Sequence, residues 1–393
     1  MHGCYFSCNI VIMDRKWIWI VFGLNGLTVG LHAQENPGRE AMDRQDYRAA
    51  LDYYQAQTDT QATTLYQLAF CQYKLGRWKD AKANYERVIR QDTAMVPALL
   101  QLGSLYEQEW NYPKAFLQYR RLVALDPENP TYQKLCGQVA EKAGIVRDAF
   151  QYYARARTLN PDDIDVLLSL GTLFMNNEQV PEADSLYGLA YLLDSTNLQV
   201  LLQRARSKYA LREYPVVVQL LERSRGRLDL NPYYQKMFGY AYLQIDSIDK
   251  AIHILENLLE KDDTEYTHYY LGMAYTAKEI PEKAIFHLEQ AVNKSISPNI
   301  GLYFAQLGLL CKQENNLKDA IRYYDEAYTY SGVPKYLFLK AQVCDQYYKD
   351  KSIALSHYQK YLATADHNVE YTAYASDRIR YLKEFIHQTK SNK

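Results

Sequence analysis

Residues 96–127 read VPALLQLGSLYEQEWNYPKAFLQYRRLVALDP, and this stretch decides how most of the chain folds. Apolar residues run at helical spacing from Leu99 to Tyr106, which predicts a helix with one apolar face. Pro113 is typical of the first residue of a second helix, because the N–H that proline lacks has no partner there. Asp126 ends that helix, since the residue before a proline resists the α conformation. The stretch predicts a helix, a tight turn and a second helix.

The same unit recurs along most of the chain. A small residue returns at intervals of 33 to 36 residues, at Ala69, Gly103, Gly137, Gly171, Ala205, Gly239, Gly272, Gly308 and Ala341. A second series follows it by 12 or 13 residues, at Ala81, Ala115, Ala149, Ala183, Val217, Ala251, Ala284, Ala320 and Ala354. Two series in step over 286 residues (354 − 69 + 1) indicate an array of stacked structural repeats.

The small residues have a steric purpose in this interpretation. Gly103 and Ala115 are expected where the two helices of one unit approach most closely. Tyr119 is expected to fill the gap to the following unit. No unit can bury its apolar face alone, so each one packs on its neighbour.

These units resemble the tetratricopeptide repeat (TPR) family. That family has Gly or Ala in its first helix, Ala in its second, an aromatic residue four positions later and a proline at the end. The third unit matches through Gly137, Ala149, Tyr153 and Pro161. The resemblance implies an all-α fold, a right-handed superhelical solenoid of about nine helix–turn–helix TPR units with a C-terminal capping helix. It also implies that a protein or peptide partner binds in the concave groove.

The chain divides into four predicted segments. They are a signal peptide, an N-terminal cap or half-repeat, nine TPR units, and a C-terminal capping helix with a tail, over residues 1–33, 34–61, 62–366 and 367–393 respectively. Tyr47, Ala50 and Tyr54 imitate a second helix before the array. The last unit has one extra residue between its small positions, around Tyr347–Asp350, which predicts a distorted turn.

The amino terminus has the order of a secretory signal peptide. Arg15 and Lys16 precede an uncharged stretch, Trp17 to Leu31, and Ala33 then precedes a polar segment. Cleavage after Ala33 would leave Gln34 as the first residue, a junction that resembles exported proteins of Bacteroidetes-type Gram-negative bacteria. We therefore expect a periplasmic or outer-membrane-associated protein.

Two alternatives remain for this segment. Met13 could be the true initiator. An uncleaved segment could instead anchor the array at the cytoplasmic membrane, as in a membrane-tethered assembly factor or a regulatory TPR subunit. A spanning helix needs about 20 apolar residues, so the anchor is the less favoured interpretation.

Composition and motifs point away from catalysis. The net charge is −1, so no global field would steer the chain to nucleic acid. The eight histidines are scattered, without an HExxH motif, and neither a GxSxG elbow nor a Gly-rich phosphate loop occurs. We expect no enzyme activity, cofactor or metal. Four cysteines, Cys71, Cys136, Cys311 and Cys344, are expected as buried thiols, although a disulfide between Cys311 and Cys344 is conceivable.

The resemblance also implies which residues face the groove, because the first helices line it in this family. The partner-binding residues expected in repeats five to seven are Arg206, Tyr209, Tyr233, Lys236, Met237, Tyr240, Tyr266, Tyr269, Tyr270 and Met273. Equivalent positions in repeats one and three are Tyr66, Phe70, Tyr73, Lys134, Gln138 and Glu141. Tyrosine suits an interface, because it buries a large rigid face and keeps a hydroxyl for hydrogen bonding. The alternative is that half of these tyrosines only fill gaps between helices.

Charged residues are less informative. Chaperone-binding members of the family clamp a C-terminal carboxylate with Lys and Asn. Here Lys134 is followed by Gln138 and Lys236 by Tyr240, so chaperone-tail binding is not expected. Repeat five is rich in cations, Arg204, Arg206, Lys208, Arg212, Arg223, Arg225 and Arg227. These could bind an acidic partner, but a solvated helix face is the commoner reason for such a run.

Overall fold

A computed structural model describes most of the chain, namely residues 9–14, 17–21, 28–32, 36–59, 61–224, 231–295, 298–364 and 369–391. The chain divides into two compact units, Met1–Leu170 and Gly171–Lys393.

The first unit begins with a small antiparallel sheet of three strands in chain order, β1 (Asn9–Asp14), β2 (Trp17–Val21) and β3 (Thr28–His32). The sequence analysis predicted an export signal or a helical anchor in this segment and did not predict strands. The basic pair Arg15–Lys16 and the expected cleavage site at Ala33 lie outside the described residues. Among the helices that the structure describes, none is long and apolar enough to cross a membrane.

The rest of the first unit is helical. Its helices are α1 (Pro37–Asp43), α2 (Tyr47–Ala56), α3 (Ala62–Lys74), α4 (Trp78–Gln91), α5 (Val96–Gln108), α6 (Tyr112–Leu125), α7 (Pro130–Lys142) and α8 (Val146–Leu159). They pack in consecutive pairs, and the second helix of each pair also packs on the first helix of the next. Helix α9 (Ile164–Asn176) includes the boundary between the two units.

The second compact unit of the chain repeats this arrangement of packed helix pairs. Its helices are α10 (Val180–Leu193), α11 (Leu198–Ala210), α12 (Tyr214–Ser224), α13 (Pro232–Gln244), α14 (Ile248–Leu259), α15 (Glu265–Ala277), α16 (Pro281–Lys294), α17 (Ile300–Gln313), α18 (Leu317–Ser331), α19 (Pro334–Tyr347), α20 (Lys351–Leu362) and α21 (Val369–Ser391). The predicted all-α repeat fold is confirmed: nine helix–turn–helix units run from α3–α4 to α19–α20 in the described residues.

Four of the small-residue glycines of the first helices, Gly103, Gly137, Gly171 and Gly308, lie under a tyrosine ring of the second helix, whereas Gly239 and Gly272 lie under Leu255 and Leu288. A Cβ atom on Gly103 would be 2.3 Å from Cε1 of Tyr119. The Tyr119 hydroxyl donates to Oε1 of Glu107, on the same helix as the glycine, at 2.8 Å. The close approach predicted at Gly103 is therefore confirmed. Tyr119 does more than fill the gap to the next unit, because it first covers the glycine of its own unit.

The same relation occurs before the array. A Cβ atom on Gly38 in α1 would be 2.8 Å from Cζ of Tyr54 in α2, and Ala50 is fully buried. Residues 34–61 therefore contain both helices of a pair, of which the sequence analysis identified only the second.

Each of the first eight units turns through a left-handed residue. The residue is glycine at Gly76 and Gly144, but Trp110 adopts φ 59° although it carries a bulky side chain. The N–H of Asn111 then donates to the carbonyl oxygen of Tyr106 at 2.8 Å, which closes the end of α5. The ninth unit differs, as its extra residue predicted: Tyr348 is extended, at φ −89° and ψ 132°.

The terminal helix α21 takes the place of a further first helix. Ala375 follows Ala341 at the interval of the array and is fully buried, so the small-residue series continues into the cap. Tyr371 stacks on Phe338 with ring centroids 4.8 Å apart. Arg378 donates from Nε to Oδ2 of the buried Asp345 at 2.6 Å, which ties α21 to α19.

The four cysteines of the helical region are buried and free, as expected, and Cys311 is not bonded to Cys344. Burial raises the pKa of Cys136 to about 12 and that of Cys71 to about 11. These thiols are therefore protonated at neutral pH.

Candidate partner-binding groove

Six of the ten predicted groove residues line one cleft of about 290 Å³ in the second compact unit. Its lining consists of Tyr209 from α11, Tyr233, Lys236 and Met237 from α13, and Tyr266 and Tyr270 from α15. We call this the tyrosine cleft. Three successive first helices contribute to it.

Helical periodicity explains why these side chains share a face. On α13 the residues Tyr233, Lys236, Met237 and Tyr240 stand at positions i, i+3, i+4 and i+7, which lie on one side of an α-helix. The residues Tyr266, Tyr269, Tyr270 and Met273 repeat this spacing on α15. Because the unit length is nearly constant, the two faces lie side by side.

The aromatic rings form a continuous chain that includes two of the tyrosines lining the cleft. Ring centroids are 5.8 Å apart for Tyr209 and Tyr240, and 5.1 Å apart for Tyr240 and Tyr270. Tyr214, the first residue of α12, joins them at 5.8 Å from Tyr240. Sequence reasoning missed Tyr214, because it assigned the groove to first helices alone. Its only signal is its place two residues after the left-handed turn residue Arg212.

Exposure separates the tyrosines into two groups. Tyr233 and Tyr266, at 52% and 38% exposed, are open to solvent, whereas Met237 is buried. Tyr269 instead packs on the buried Tyr303, with centroids 4.8 Å apart. The gap-filling alternative therefore applies to part of the set.

The remaining predicted residues do not line the cleft. Tyr240 and Tyr269 contact the Tyr270 ring, with centroids 5.1 and 5.8 Å from it, and Met273 is half-buried on α15. Arg206 lies close to the hydroxyls of Tyr187 and Tyr234, where its charge opposes the rise in their pKa that burial causes.

The single charged side chain of the cleft is already paired. Nζ of Lys236 lies 2.9 Å from Oδ2 of Asp262, in the turn before α15. The same oxygen accepts hydrogen bonds from the hydroxyls of Thr264 and Thr267, at 2.9 and 2.7 Å. Burial raises the pKa of Asp262, but these hydrogen bonds outweigh it and lower the pKa below its usual value. The cleft therefore presents aromatic faces and hydroxyls with little net charge.

Three tyrosine hydroxyls in and beside the cleft, those of Tyr209, Tyr269 and Tyr270, stay protonated at neutral pH. Burial, followed by neighbouring tyrosines, raises the pKa of Tyr269 to about 12. Burial also raises the pKa of Tyr209 and of Tyr270. Of these three tyrosines, Tyr209 and Tyr270 line the cleft, and none is activated as a base or a nucleophile.

The groove positions of repeat three serve the array itself. Nζ of Lys134 lies 2.8 Å from Oδ2 of Asp163 and 3.3 Å from Oδ2 of Asp165, in the segment that leads into the next first helix. Glu141 accepts a hydrogen bond from the Tyr153 hydroxyl at 2.8 Å. Lys134 and Lys236 therefore make the same inter-repeat ion pair.

The cations of repeat five pack on the preceding unit. The Arg204 guanidinium lies 4.3 Å from the ring centre of Tyr191, and Arg223 lies 5.4 Å from it. Nζ of Lys208 lies 2.9 Å from Oδ2 of Asp184. These contacts favour the structural interpretation over an acidic partner. Arg225 and Arg227 lie outside the described residues.

Two histidines that looked scattered in the sequence are in contact. Nδ1 of His268 lies 2.9 Å from Nδ1 of His287, and both side chains are buried. Sequence reasoning missed the pair, because the two are far apart in the chain and only the packing of α15 on α16 joins them. In the described part of the chain, His, Cys, Asp and Glu side chains do not gather in any group of three or more that could hold a metal ion.

Comparison with known proteins agrees with the helix pairs described above. The tetratricopeptide repeat family model matches residues 72–130 and 100–164. The matched helix pairs are TPR units. They include all or part of the first three units and lie within the first compact unit of the chain.

Solved structures that match this chain do so with low sequence identity and low TM-scores. A tetratricopeptide repeat protein from Parabacteroides merdae is 14% identical with a TM-score of 0.44, and the match covers 63% of this chain and 98% of that one. PilF from Pseudomonas aeruginosa is 19% identical with a TM-score of 0.44, over 51% and 90% of the two chains. The Cut9–Hcn1 assembly of the APC/C is 14% identical with a TM-score of 0.45, over 88% and 82%.

Proposed function

We propose that this protein is a non-catalytic TPR scaffold that binds a peptide segment of a partner protein in the tyrosine cleft. One observation carries the proposal: six side chains from three successive first helices converge on a cleft with a buried apolar floor and exposed tyrosines at its edge. Anchors of this kind, large rings beside a desolvated pocket, dominate binding energy at protein interfaces.

The lining also indicates the chemistry of the peptide. Lys236 is neutralised by Asp262, so an acidic peptide or a C-terminal carboxylate finds no free cation in the cleft. Aromatic faces and a methionine favour bulky uncharged anchors such as aromatic, aliphatic or prolyl side chains. Tyrosine hydroxyls can then bond the peptide backbone beside the anchor.

The types of residue that line the cleft support a scaffold role. Its residues are four tyrosines, a methionine and a paired lysine, and none forms an acid–base pair. A net charge of −1 gives no electrostatic reason for nucleic acid to bind.

A peptide library tests the proposal. Random dodecapeptides are selected on the full chain and counter-selected on the double variant Tyr233→Ala/Tyr266→Ala. We expect enrichment of peptides with bulky uncharged anchors, at least tenfold weaker binding to the variant, and unchanged far-UV circular dichroism. The matched control is Tyr381→Ala, a tyrosine 51% exposed on α21, which should bind like the wild type.

Two results would contradict the cleft as the binding site. One is a selection that yields no peptide sensitive to the double variant. The other is equal loss of binding in the Tyr381→Ala control, because the effect would then not depend on the cleft.

We also propose that the protein is exported to the cell envelope, on the order of charges and apolar residues in the segment that precedes Gln34. N-terminal sequencing of the native protein tests this. A mature chain that begins at Gln34 supports export. Retention of Met1 or Met13 would overturn it and would favour the membrane-tethered assembly factor instead.

A further inference from the structure

A pair of imidazoles lies inside the helix pair that carries one wall of the tyrosine cleft. His268 on α15 is 3% exposed and His287 on α16 is 8% exposed, and their Nδ1 atoms lie 2.9 Å apart. Two ring nitrogens at this distance share one proton, so one donates and the other accepts.

Neighbouring groups decide which nitrogen carries the proton. Nε2 of His268 lies 2.8 Å from Oδ1 of Asp263, a carboxylate that can only accept, so this nitrogen carries a hydrogen. In the neutral ring, Nδ1 of His268 is then bare and accepts the hydrogen bond from Nδ1 of His287. A proton added to each ring would place two N–H groups against each other at 2.9 Å. The contact therefore tolerates one added proton at most.

Charged groups on α14, on α16 and in the turn between α14 and α15 face the histidine pair. Asp263, in the turn between α14 and α15, is shared with Lys294 of α16, whose Nζ lies 2.8 Å from its Oδ2. Glu256 of α14 favours a charge on His287, and Lys283 of α16 opposes one. Glu256 already accepts a hydrogen bond from Tyr275 of α15, whose ring stacks on His287 with centroids 5.5 Å apart.

From α13, Lys236 faces the neighbouring Asp262 and is paired with it. The balance disfavours protonated imidazoles. Burial and then the charge of His268 lower the pKa of His287 to about 4. Burial also lowers the pKa of His268, although Asp263 acts in the opposite direction.

Helix α15 links this pair to the cleft. Its residues Tyr266 and Tyr270 line the cleft, while His268 faces α16. We propose that the His268–His287 contact is a proton-sensitive latch that holds α15 on α16, and that protonation releases α15 and so takes apart the tyrosine cleft. The opening of α15 stands on the histidine geometry alone, whereas the loss of binding rests on the proposed function.

The sign follows from the lowered pKa values. The contribution of His287 to the stability of the closed α15–α16 contact is complete above the unfolded histidine pKa of about 6.5. It is lost as the pH falls from there toward about 4, the folded pKa of His287. For that single histidine, linkage between these two values shifts the opening equilibrium by about 20-fold from pH 7 to pH 5.

Hydrogen exchange of the full chain measures this opening. After correction for intrinsic exchange rates, protection of the amides in α15 and α16 should fall about 20-fold between pH 7 and pH 5. Amides of α5 and α6 in the same chain should change less than threefold. In His287→Gln, whose side-chain amide can still donate to Nδ1 of His268, most of the fall should disappear. His253→Gln, an exposed histidine on α14, should behave as the wild type.

Several results would overturn the latch. Equal pH dependence in wild type and His287→Gln is one, and equal falls in α5 and α15 are another. If His287→Gln does not fold, ring nitrogen NMR of the wild type decides: titration of both histidines near 6.5 in the folded chain refutes the latch, and titration of His287 well below 6 supports it.

A dodecapeptide selected on the tyrosine cleft separates the two proposals. Weaker binding at pH 5 together with exchange of α15 supports both. Failure to select any peptide at pH 7, with the exchange shift intact, overturns the proposed function and leaves the latch. Equal binding at both pH values without an exchange shift overturns the latch and leaves the binding function.

Discussion

Replacement of Gly103 by alanine tests the packing rule of the whole array. The new Cβ atom would lie 2.3, 2.7 and 2.9 Å from three carbons of the Tyr119 ring, all shorter than van der Waals contact. The ring cannot easily move, because it is buried and its hydroxyl is bonded to Glu107 at 2.8 Å. We expect Gly103→Ala to destabilise the second TPR unit.

The magnitude follows from one stabilising and two destabilising contributions. Alanine in place of glycine stabilises a helix interior by about 1 kcal/mol. Overpacking of a filled core costs about 1–3 kcal/mol, and a strained or broken hydrogen bond to a carboxylate adds about 1.5–3 kcal/mol. The net expectation is a loss of about 1.5–5 kcal/mol in the free energy of unfolding.

A second helical glycine supplies the matched control. A Cβ atom on Gly188, inside α10, would meet nothing within 4 Å. Gly188→Ala should therefore stabilise the protein by about 1 kcal/mol, because only the helix-propensity term acts. The same substitution is predicted to have opposite signs at the two positions.

Urea unfolding followed by circular dichroism gives the sign of each change. Repeat arrays often unfold unit by unit, so hydrogen exchange of α5 and α6 should accompany it and locate the effect. A Gly103→Ala protein with unchanged or higher stability would refute the reasoning, since the Tyr119 ring could not then lie on Gly103.

Three further predictions concern turns, the cap and the thiols. Trp110→Gly should raise the midpoint of thermal unfolding, because glycine relieves a left-handed conformation that costs about 1–2 kcal/mol in other residues; a lower midpoint would mean that the exposed indole has a packing role. Asp345→Ala should cost about 1.5–3 kcal/mol and speed hydrogen exchange in α21, since Arg378 loses a charged hydrogen-bond partner; unchanged exchange there would show that the ion pair does not hold the cap. Cys136, with a pKa raised by burial to about 12, should resist a thiol reagent at pH 8 until urea unfolds the chain; fast labelling of the native protein would contradict its burial.

The sequence predicted the helix pairs well, because each unit has the same local requirements: periodic apolar residues, a small residue at the helix contact and a turn. It missed α1, because the interval from Gly38 to Ala69 is shorter than the regular interval of the small-residue series. It also missed the continuation of the series at Ala375, since the terminal helix has no second helix after it.

The groove residues were predicted as a set, but their separate positions could not be. Tyr233 and Tyr269 both lie on the groove faces of first helices, yet Tyr233 lines the cleft and Tyr269 packs on Tyr303. Which of them remains exposed depends on the side chains of the next unit, and helical periodicity carries no such information.

The sequence by itself determined the repeat, the order of helices and the helix face that each tyrosine occupies, because these depend on residue spacing within each helix and turn. Only the tertiary structure decided which charges are neutralised and which histidines meet. Lys236 reaches Asp262 and His268 reaches His287 across helices, at 2.9 Å in both cases. Such distances depend on how neighbouring helices pack, because a hydrogen bond fails after a shift of about 1 Å that leaves the sequence pattern unchanged.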